Sequence, residues 1–444
     1  MDYRALSEQL VQTCLKNGAD SAEVFIQAGR RLSIEVRKGE IETVQEAASQ
    51  GIGFRIFTKG KMAFASCNDF TGAATASAID SAVRFAQETT ADPNNQLPDD
   101  KGVTAVDGLY DAGISQIAMD KKIELARTVE KLAMKDGRIT KSDGSGYSES
   151  ESEIFIANSN GLSKSYKISG CSLGVSVVAE KGDQKSSGGE SCSRRFFADL
   201  KTPEEIAAKA ARKAYELLDP RMVKTQRAAV IFDPDVAGSL LGGILAAVNG
   251  ERVLQGASFL GTRINQKIAS ALLTVIDDGT RAKGLASRPF DGEGCPTQKR
   301  TIIDKGVLTG VMYNTIIARR AGVKSTGNAS RGGFTSVPGI GPNNFYMATG
   351  DSSRADIIAA TPKGLLLTEV TGYGINPVNG DFSGGASGFW VEGGKIAFPV
   401  KGLTIAGRAD EMLNGIDMVA DDLDLNRGTA APTFRIRELQ IGGE

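Results

Sequence analysis

The feature that most constrains the fold of this chain is a long run of two-residue alternation, "AEVFIQAGRRLSIEVRKGEIETVQEAASQGIGFRIFTKGKMAFASC", from Ala22 to Cys67. Leu32, Ile34 and Val36 alternate with polar neighbours, as do Ile52, Phe54 and Ile56, and the pattern is interrupted at Lys38-Gly39 and Lys59-Gly60. Successive side chains of a strand point to opposite faces, so this spacing predicts an antiparallel meander with tight Lys-Gly turns and one covered face. Helices must cover that face. Leu6, Leu10 and Cys14 lie at helical spacing ahead of Gly18, which predicts an opening helix with a glycine C-cap. Ile79, Val83 and Ala86 predict another over 71–88, before the polar, proline-bearing loop "ETTADPNNQLPDDKG".

A similar round comes next. The pattern predicts a helix over 120–135 with Asp120 as its N-cap, strands over 152–158, 162–169 and 172–180, and a helix over 203–218 stopped by Asp219-Pro220. The first two strands join near Asn160-Gly161. From about residue 225 the texture changes to glycine-rich, short β-type runs such as "GLLLTEVTGYG" and "GFWVEGGKIAFPVKGLTIAG", with helices over 235–249, near 313–321 and over 408–417. A length of 444 residues exceeds what one hydrophobic core usually supports. The expectation is an α+β fold of two domains: an N-terminal helix-plus-antiparallel-sheet domain over 1–222, and a C-terminal mostly β domain with a central helix over 223–444.

The chemistry is bounded by one number, a histidine count of zero. It removes the commonest metal ligand and the commonest neutral-pH general base together. Serine and cysteine nucleophiles then lack their usual base, and no Ser-x-x-Lys offers a lysine in its place. The formal net charge of -1 gives no sign of a nucleic-acid or membrane surface. Five scattered cysteines without a Cys-x-x-Cys pair read as reduced thiols. No run of about 20 apolar residues is present, and Asp2 and Glu8 stand where a signal peptide would be basic and then apolar, so the expected location is the cytoplasm.

The remaining motifs read as structure. Cys295 in "EGCPTQ" is the one thiol in a glycine-rich loop, and without an imidazole to lower its pKa it is expected to be inert. Asp421, Asp422 and Asp424 in "DDLDLN" lack the glycine and terminal glutamate of a calcium loop and read as a solvated turn. "GIGPNN" and "GYGINP" lack the context of a dinucleotide-binding loop and read as turns. Asn328 in "NAS" matches a glycosylation acceptor, which has no meaning in a cytosolic chain. Trp390, the single tryptophan, reads as core. The helical stretch "GSLLGGILAAVNGER" over 238–252 carries only glycine, alanine or an aliphatic wherever a residue could face a reactant.

Three long strings resemble the TldD/PmbA family, whose older description is "modulator of DNA gyrase". They are "SRPFDGEGCPTQKRTIIDKGVLTGVMYN" with "STGNASR" downstream, "NPVNGDFSGGASGFWVEGGKIAFPVKGLTIAGRADEMLNGIDMV", and "APTFRIRELQIGG". The resemblance implies a two-domain α+β fold and a cytosolic zinc-dependent peptidase built from two kinds of subunit. In the TldD-type subunit a helix bears His-Glu-x-x-x-His and a cysteine near the C-terminus completes the zinc site. Set against that helix, this chain places Gly242 and Gly243 where the first histidine and the glutamate would be, and Ala247 where the second histidine would be. The cysteine segment is also missing, since 426–432 is too short for it. The chain is thus similar to the PmbA/TldE-type subunit, which accompanies the zinc-bearing one.

The resemblance therefore implies a non-catalytic subunit with no catalytic residues and no metal of its own. Zinc is expected only in a TldD-type partner, and the pair acts on a peptide substrate. The alternative is a stand-alone peptide-binding or regulatory protein without a peptidase partner. Small residues from Gly242 to Ala247 predict that another backbone packs closely on the helix. By analogy with peptidases that hold substrate as an added strand, Gly380, Asp381, Phe382, Ser383, Gly384 and Gly385 are the candidates for peptide or partner contact. The residues leave open whether the isolated chain pairs with itself.

Overall fold

A computed structural model of the chain describes residues 1–372, 374–425 and 427–444. Its first sheet is built from β1 (Ser21–Arg37), β2 (Glu40–Thr58), β3 (Lys61–Cys67), β4 (Ile139–Asn158), β5 (Ser163–Lys181) and β6 (Gln184–Arg194) in the order β3-β2-β1-β4-β5-β6. Every neighbouring pair is antiparallel. At the two Lys-Gly turns both residues are left-handed, Lys38 and Gly39 at φ 55° and 76°, Lys59 and Gly60 at 51° and 74°. Such turns match the twist of the strands they join.

Four helices cover one face: α1 (Tyr3–Lys16), α2 (Gly72–Glu88), α3 (Met119–Ala133) and α4 (Pro203–Glu216). α1 and α2 pack on Val24, Ile26, Ile52, Phe54 and Ile56. α3 and α4 pack on Leu32, Ile34, Val36, Leu173, Val175 and Val177. All the β1 members are even-numbered, as strand alternation requires. Its odd positions Phe25 and Gln27 look the other way, and Phe25 joins Ile154, Ile156 and Phe290 in a small cluster with the C-terminal half.

Three expectations need correction. α3 starts one residue earlier, with Ala118 at the N-cap position and no side-chain cap; Asp120 sits inside the first turn, where its charge suits the helix dipole. The strands expected over 162–169 and 172–180 are one strand, β5, and β4 begins at Ile139. Both inner faces are faint in hydropathy because polar or small residues occupy inward positions. Ser145 donates to the Ala126 carbonyl, and Glu149 is held by Lys122 and Arg30 at 2.8 and 2.7 Å. β6 went unread for the same reason: a Cβ on Gly188 would lie 2.3 Å from Ala214 N, so only glycine lets α4 lie so close.

The rest of the chain is mostly β. In order it forms β7 (Gln226–Phe232), α5 (Pro234–Ala247), α6 (Gly250–Leu254), β8 (Val275–Asp278), β9 (Lys299–Asp304), β10 (Val307–Leu308), α7 (Thr315–Arg320), β11 (Ala329–Ser330), β12 (Gly339–Ile340) and β13 (Asn344–Met347). Then come α8 (Arg354–Ala359), β14 (Lys363–Thr371), β15 (Asp381–Glu392), β16 (Lys395–Arg408), α9 (Ala409–Asn414), β17 (Ile416–Val419), β18 (Thr429–Ala430) and β19 (Phe434–Gly442). One sheet runs β16-β15-β14-β7-β19-β17, and β16 pairs back onto β19, so the sheet curls toward a barrel. A second runs β10-β9-β8-β13-β18. Among the described residues, β7–β14 and β13–β18 are the only parallel pairs of strands. α5 supplies Leu240, Leu241, Ile244 and Ala247 to the large core that also holds Phe232, Trp390 and Phe434. The molecule thus has the two-domain α+β fold expected. No helix among the described residues is long and apolar enough to cross a membrane.

Candidate functional site

α5 leaves β7 directly. Asp233 caps it by accepting from Asp235 N, and Pro234 opens the first turn. The helix ends at Ala247 because Asn249 turns its side chain onto Glu251 N and Arg252 N and starts α6. The stretch read as one helix over 238–252 is therefore two.

The three positions singled out on α5 do not share an environment. A Cβ on Gly242 would meet nothing within 4 Å, whereas one on Gly243 would stand 2.4 Å from Ile375 Cβ. Ala247 is fully buried in the core. Close packing by a neighbouring segment holds at Gly243 and fails at Gly242, which lies on the exposed side with Ser239. Gly242→Ala should therefore raise stability by about 0.5–1 kcal/mol, since it removes helix-interior glycine entropy without a clash. Gly243→Val should lower it by about 1–3 kcal/mol through overpacking against Ile375. Thermal unfolding of the two variants checks this; shifts of the same sign would mean that the exposed and buried sides have been assigned wrongly.

Two loops rim α5. On one side Ile375 bridges to Phe382, and Asn376 N donates to the Asp381 carbonyl. Gly380 is left-handed at φ 81° and packs beside Phe259 and Ala409. Of the other contact candidates, Asp381 and Ser383 are exposed, Phe382 is buried, and Gly384 and Gly385 are half-buried. From Asp381 to Gly385 the strand is paired with β16, and β14 takes up the other side from Gly385 onward. Its backbone is thus largely occupied within the sheet, and the side chains of Asp381 and Ser383 are what this stretch presents.

On the other side lies the acidic segment near 421–424. Asp422 accepts from Thr433 N and Oγ1, both at 2.7 Å, and Asp424 pairs with Lys201 at 3.1 Å. Arg427 donates to the Asp235 carbonyl at the start of α5. These carboxylates tie the loop down separately; the segment is a brace more than a solvated turn. Tyr373 of "GYGINP" and Asn426, where the short segment replacing the cysteine loop begins, lie outside the described residues. Among the described residues no group of three or more Asp, Glu or Cys side chains is placed to hold a metal ion. Zinc takes nitrogen, sulfur and carboxylate donors, and Gly242, Gly243 and Ala247 supply none. The residues on α5 do not fit a zinc ion.

Sequence reasoning missed a buried ionic cluster where the first sheet meets the C-terminal half. Arg55 is 1 % exposed and bridges Glu23 and Glu293, each at 2.6 Å. Arg331 pairs with the second oxygen of Glu23 and lies 4.8 Å over the Phe25 ring. Glu293 also accepts from Thr315 N at 2.7 Å. Burial works against its charge, but Arg55 and Thr315 outweigh it and hold the carboxyl below the usual range. Nearby Asp291 is pushed up to about 7, by burial first and by Glu293 second, against the pull of its backbone donors. The acids of "FDGEGC" carried a signal, carboxylates in a glycine-rich loop, but nothing local announces partners over 200 residues away.

Cys295 is buried with Sγ 3.7 Å from Thr315 Oγ1, and burial pushes its thiol well up, so it stays protonated. Asn328 is fully buried and donates to Asp277 at 2.8 Å, leaving no room for a sugar. Trp390 is core, its Nε1 donating to Glu392.

Comparison with known proteins gives a consistent result. Models of the PmbA/TldA metallopeptidase family match in three parts: domain 1 over residues 22–88, the central domain over 113–218 and the C-terminal domain over 225–443. The metalloprotease PmbA of Escherichia coli O157:H7 is 31% identical, over 99% of this chain and 97% of its own length. Haemophilus influenzae has two relatives: a metalloprotease PmbA homolog, 32% identical over 98% of this chain and 94% of its own, and a metalloprotease TldD homolog, 27% identical over 96% and 93%. A crystal structure from Bacteroides thetaiotaomicron, of a candidate modulator of DNA gyrase, superposes with a TM-score of 0.92 at 28% identity, covering both chains completely.

Proposed function

This chain belongs to the PmbA/TldD metallopeptidase family, and on that premise we propose that it is a metal-free, non-catalytic subunit that completes a cytoplasmic zinc metallopeptidase acting on peptides. One observation carries the reading. At the α5 positions where the family's zinc motif would stand, this chain has no donor atoms, and a longer side chain at Gly243 would collide with Ile375. At Gly243 packing keeps the side chain away, whereas at Gly242 it is the residue type alone that withholds a donor. The higher identity to a PmbA homolog than to a TldD homolog of one organism supports a two-subunit system in which this chain fills the PmbA role. The division at 222/223 belongs to this reading, supported by the pairing of β19 back onto β7, which closes the second half on itself.

Co-expression with a TldD-type relative tests it. The expected result is a stable complex carrying zinc on the relative's chain, with no stoichiometric zinc on this chain alone. Failure of the two chains to associate would favour a stand-alone peptide-binding protein. Tightly held zinc on this chain alone would overturn the reading.

A further inference from the structure

A cavity of about 250 Å³ lies between the open face of the first sheet and loops of the C-terminal half. Its floor is one cross-strand row, Gln27 beside Ile154 beside Tyr166, with Ile168 next to it. Its roof includes Leu285 and Arg288. Ligand pockets commonly measure about 300–1,000 Å³, so this one suits a small molecule or the end of a chain.

We propose that this cavity binds a small carboxylate with an apolar body, and that Arg288 and Tyr166 are the groups that meet its charge. The inference goes beyond the subunit role and does not depend on it. It starts from an imbalance of donors over acceptors. The Arg288 side chain makes one hydrogen bond, from Nε to Asn343 Oδ1 at 3.2 Å, and no ion pair among the described residues. Its Nη2 is enclosed without any partner, an arrangement that costs free energy and that a small turn of the guanidinium toward an acceptor in the cavity would relieve. The Tyr166 hydroxyl has no hydrogen-bond partner among the described residues, and burial pushes its phenol up, so it remains an O–H donor.

The other charged groups lining the cavity are already engaged. Arg195 is 6 % exposed and donates to four backbone carbonyls, of Ser169, Gly284, Leu285 and Ser287. Those bonds hold the roof loop in place. Arg331 has Glu23. Asp291 is the one carboxylate among the described lining residues, and its oxygens accept from Glu293 N, Cys295 N and Ala329 N. What the cavity lacks is an acceptor, and a planar carboxylate matches a guanidinium fork. Phe25, Ile154, Ile168 and Leu285 supply a hydrocarbon part of the lining beside polar Gln27 and Ser287, and that part disfavours a fully hydrated inorganic anion and favours an aliphatic body.

Two sources share this chemistry, a free aliphatic acid and the C-terminal residue of a peptide. Calorimetric titration of the full chain with N-acetyl-leucine, N-acetyl-leucinamide, 4-methylpentanoate and a pentapeptide ending in leucine tests the proposal and separates them. Binding of the acids is expected, with the amide weaker by about tenfold or more, as loss of a charge-assisted hydrogen bond implies. Arg288→Gln should weaken the acids by a similar factor, and Tyr166→Phe by several-fold, with Arg288→Lys between wild type and Arg288→Gln. A pentapeptide that binds as well as N-acetyl-leucine assigns the site to peptide ends; binding of the small acids alone assigns it to free acids. Equal affinity for acid and amide, no binding of any acid at millimolar concentration, or wild-type affinity in Arg288→Gln would overturn the proposal. Should Arg288→Gln not fold, unaltered affinity in a folded Tyr166→Phe together with equal acid and amide binding gives the same refutation.

Discussion

Replacing Glu293 with glutamine is expected to destabilise the chain by about 3–5 kcal/mol, the cost of removing one partner from a buried ion pair. Glu293 is fully buried and Arg55 is 1 % exposed, so water cannot take over the lost charge. Glu23 would remain as the single carboxylate for both Arg55 and Arg331, and one buried cation would go uncompensated. The Glu293 acceptance from Thr315 N would also be disturbed, at the start of α7. Arg55→Met should cost a comparable amount, because it leaves Glu293 without its cation. The double variant Arg55→Met/Glu293→Gln should be much more stable than the sum of the two, because the pair leaves together. Urea unfolding of the three variants measures this. A loss below about 1 kcal/mol for Glu293→Gln, typical of exposed pairs, would mean that the cluster is hydrated and contributes little.

The second large effect is expected at the same junction. Gly53 in β2 faces the loop after Arg331, and a Cβ there would lie 2.5 Å from the Phe334 carbonyl and 3.1 Å from the Phe64 ring. Gly51, two residues earlier on the same face, lies under the Phe334 ring itself, where an added Cβ would stand 2.2 Å away. A side chain at Gly51 can displace a ring by rotating it, but one at Gly53 meets backbone. Gly53→Val should therefore destabilise by about 3 kcal/mol, the upper part of the usual overpacking range. The damage should be local to the junction. Hydrogen exchange over residues 331–337 should accelerate in this variant, while α3 and α4, packed elsewhere on the sheet, keep wild-type protection. Wild-type exchange in that loop would show that it does not dock on β2 through this contact.

How much of this was legible in the sequence depends on where the hydrophobic signal was clean. β1 to β3 could be read, turns included, because Leu32, Ile34, Val36 and Ile52, Phe54, Ile56 alternate without interruption and each turn carries a glycine. β4 and β6 could not be read in full, because their inward positions include Ser145, Glu149 and Gly188, which fit only through a hydrogen bond, ion pairs and a helix lying close. The α5 helix was legible from its aliphatic spacing, but not its orientation: nothing in "LLGGILAA" tells which glycine faces solvent. The cluster of Arg55, Glu23, Glu293 and Arg331 was invisible for another reason. Its members sit on separate elements, and charge pairing over that span is fixed only by tertiary structure. The contact candidates from Gly380 to Gly385 rested on glycine content and on an analogy with added-strand binding, and the sequence could not show that Gly384 and Gly385 lie against Thr371 of β14.

In the role proposed for it, this chain contributes to peptide cleavage without performing it. The most direct measurement is hydrolysis of an unstructured peptide by this chain alone, by a zinc-loaded TldD-type relative alone, and by the two mixed. The expected result is no cleavage by this chain alone and full activity only in the mixture. That activity should disappear when the glutamate of the relative's His-Glu-x-x-x-His is replaced, and it should persist with Cys295→Ala in this chain, because that thiol is buried and protonated. Chelator-insensitive cleavage by this chain alone would contradict the non-catalytic role.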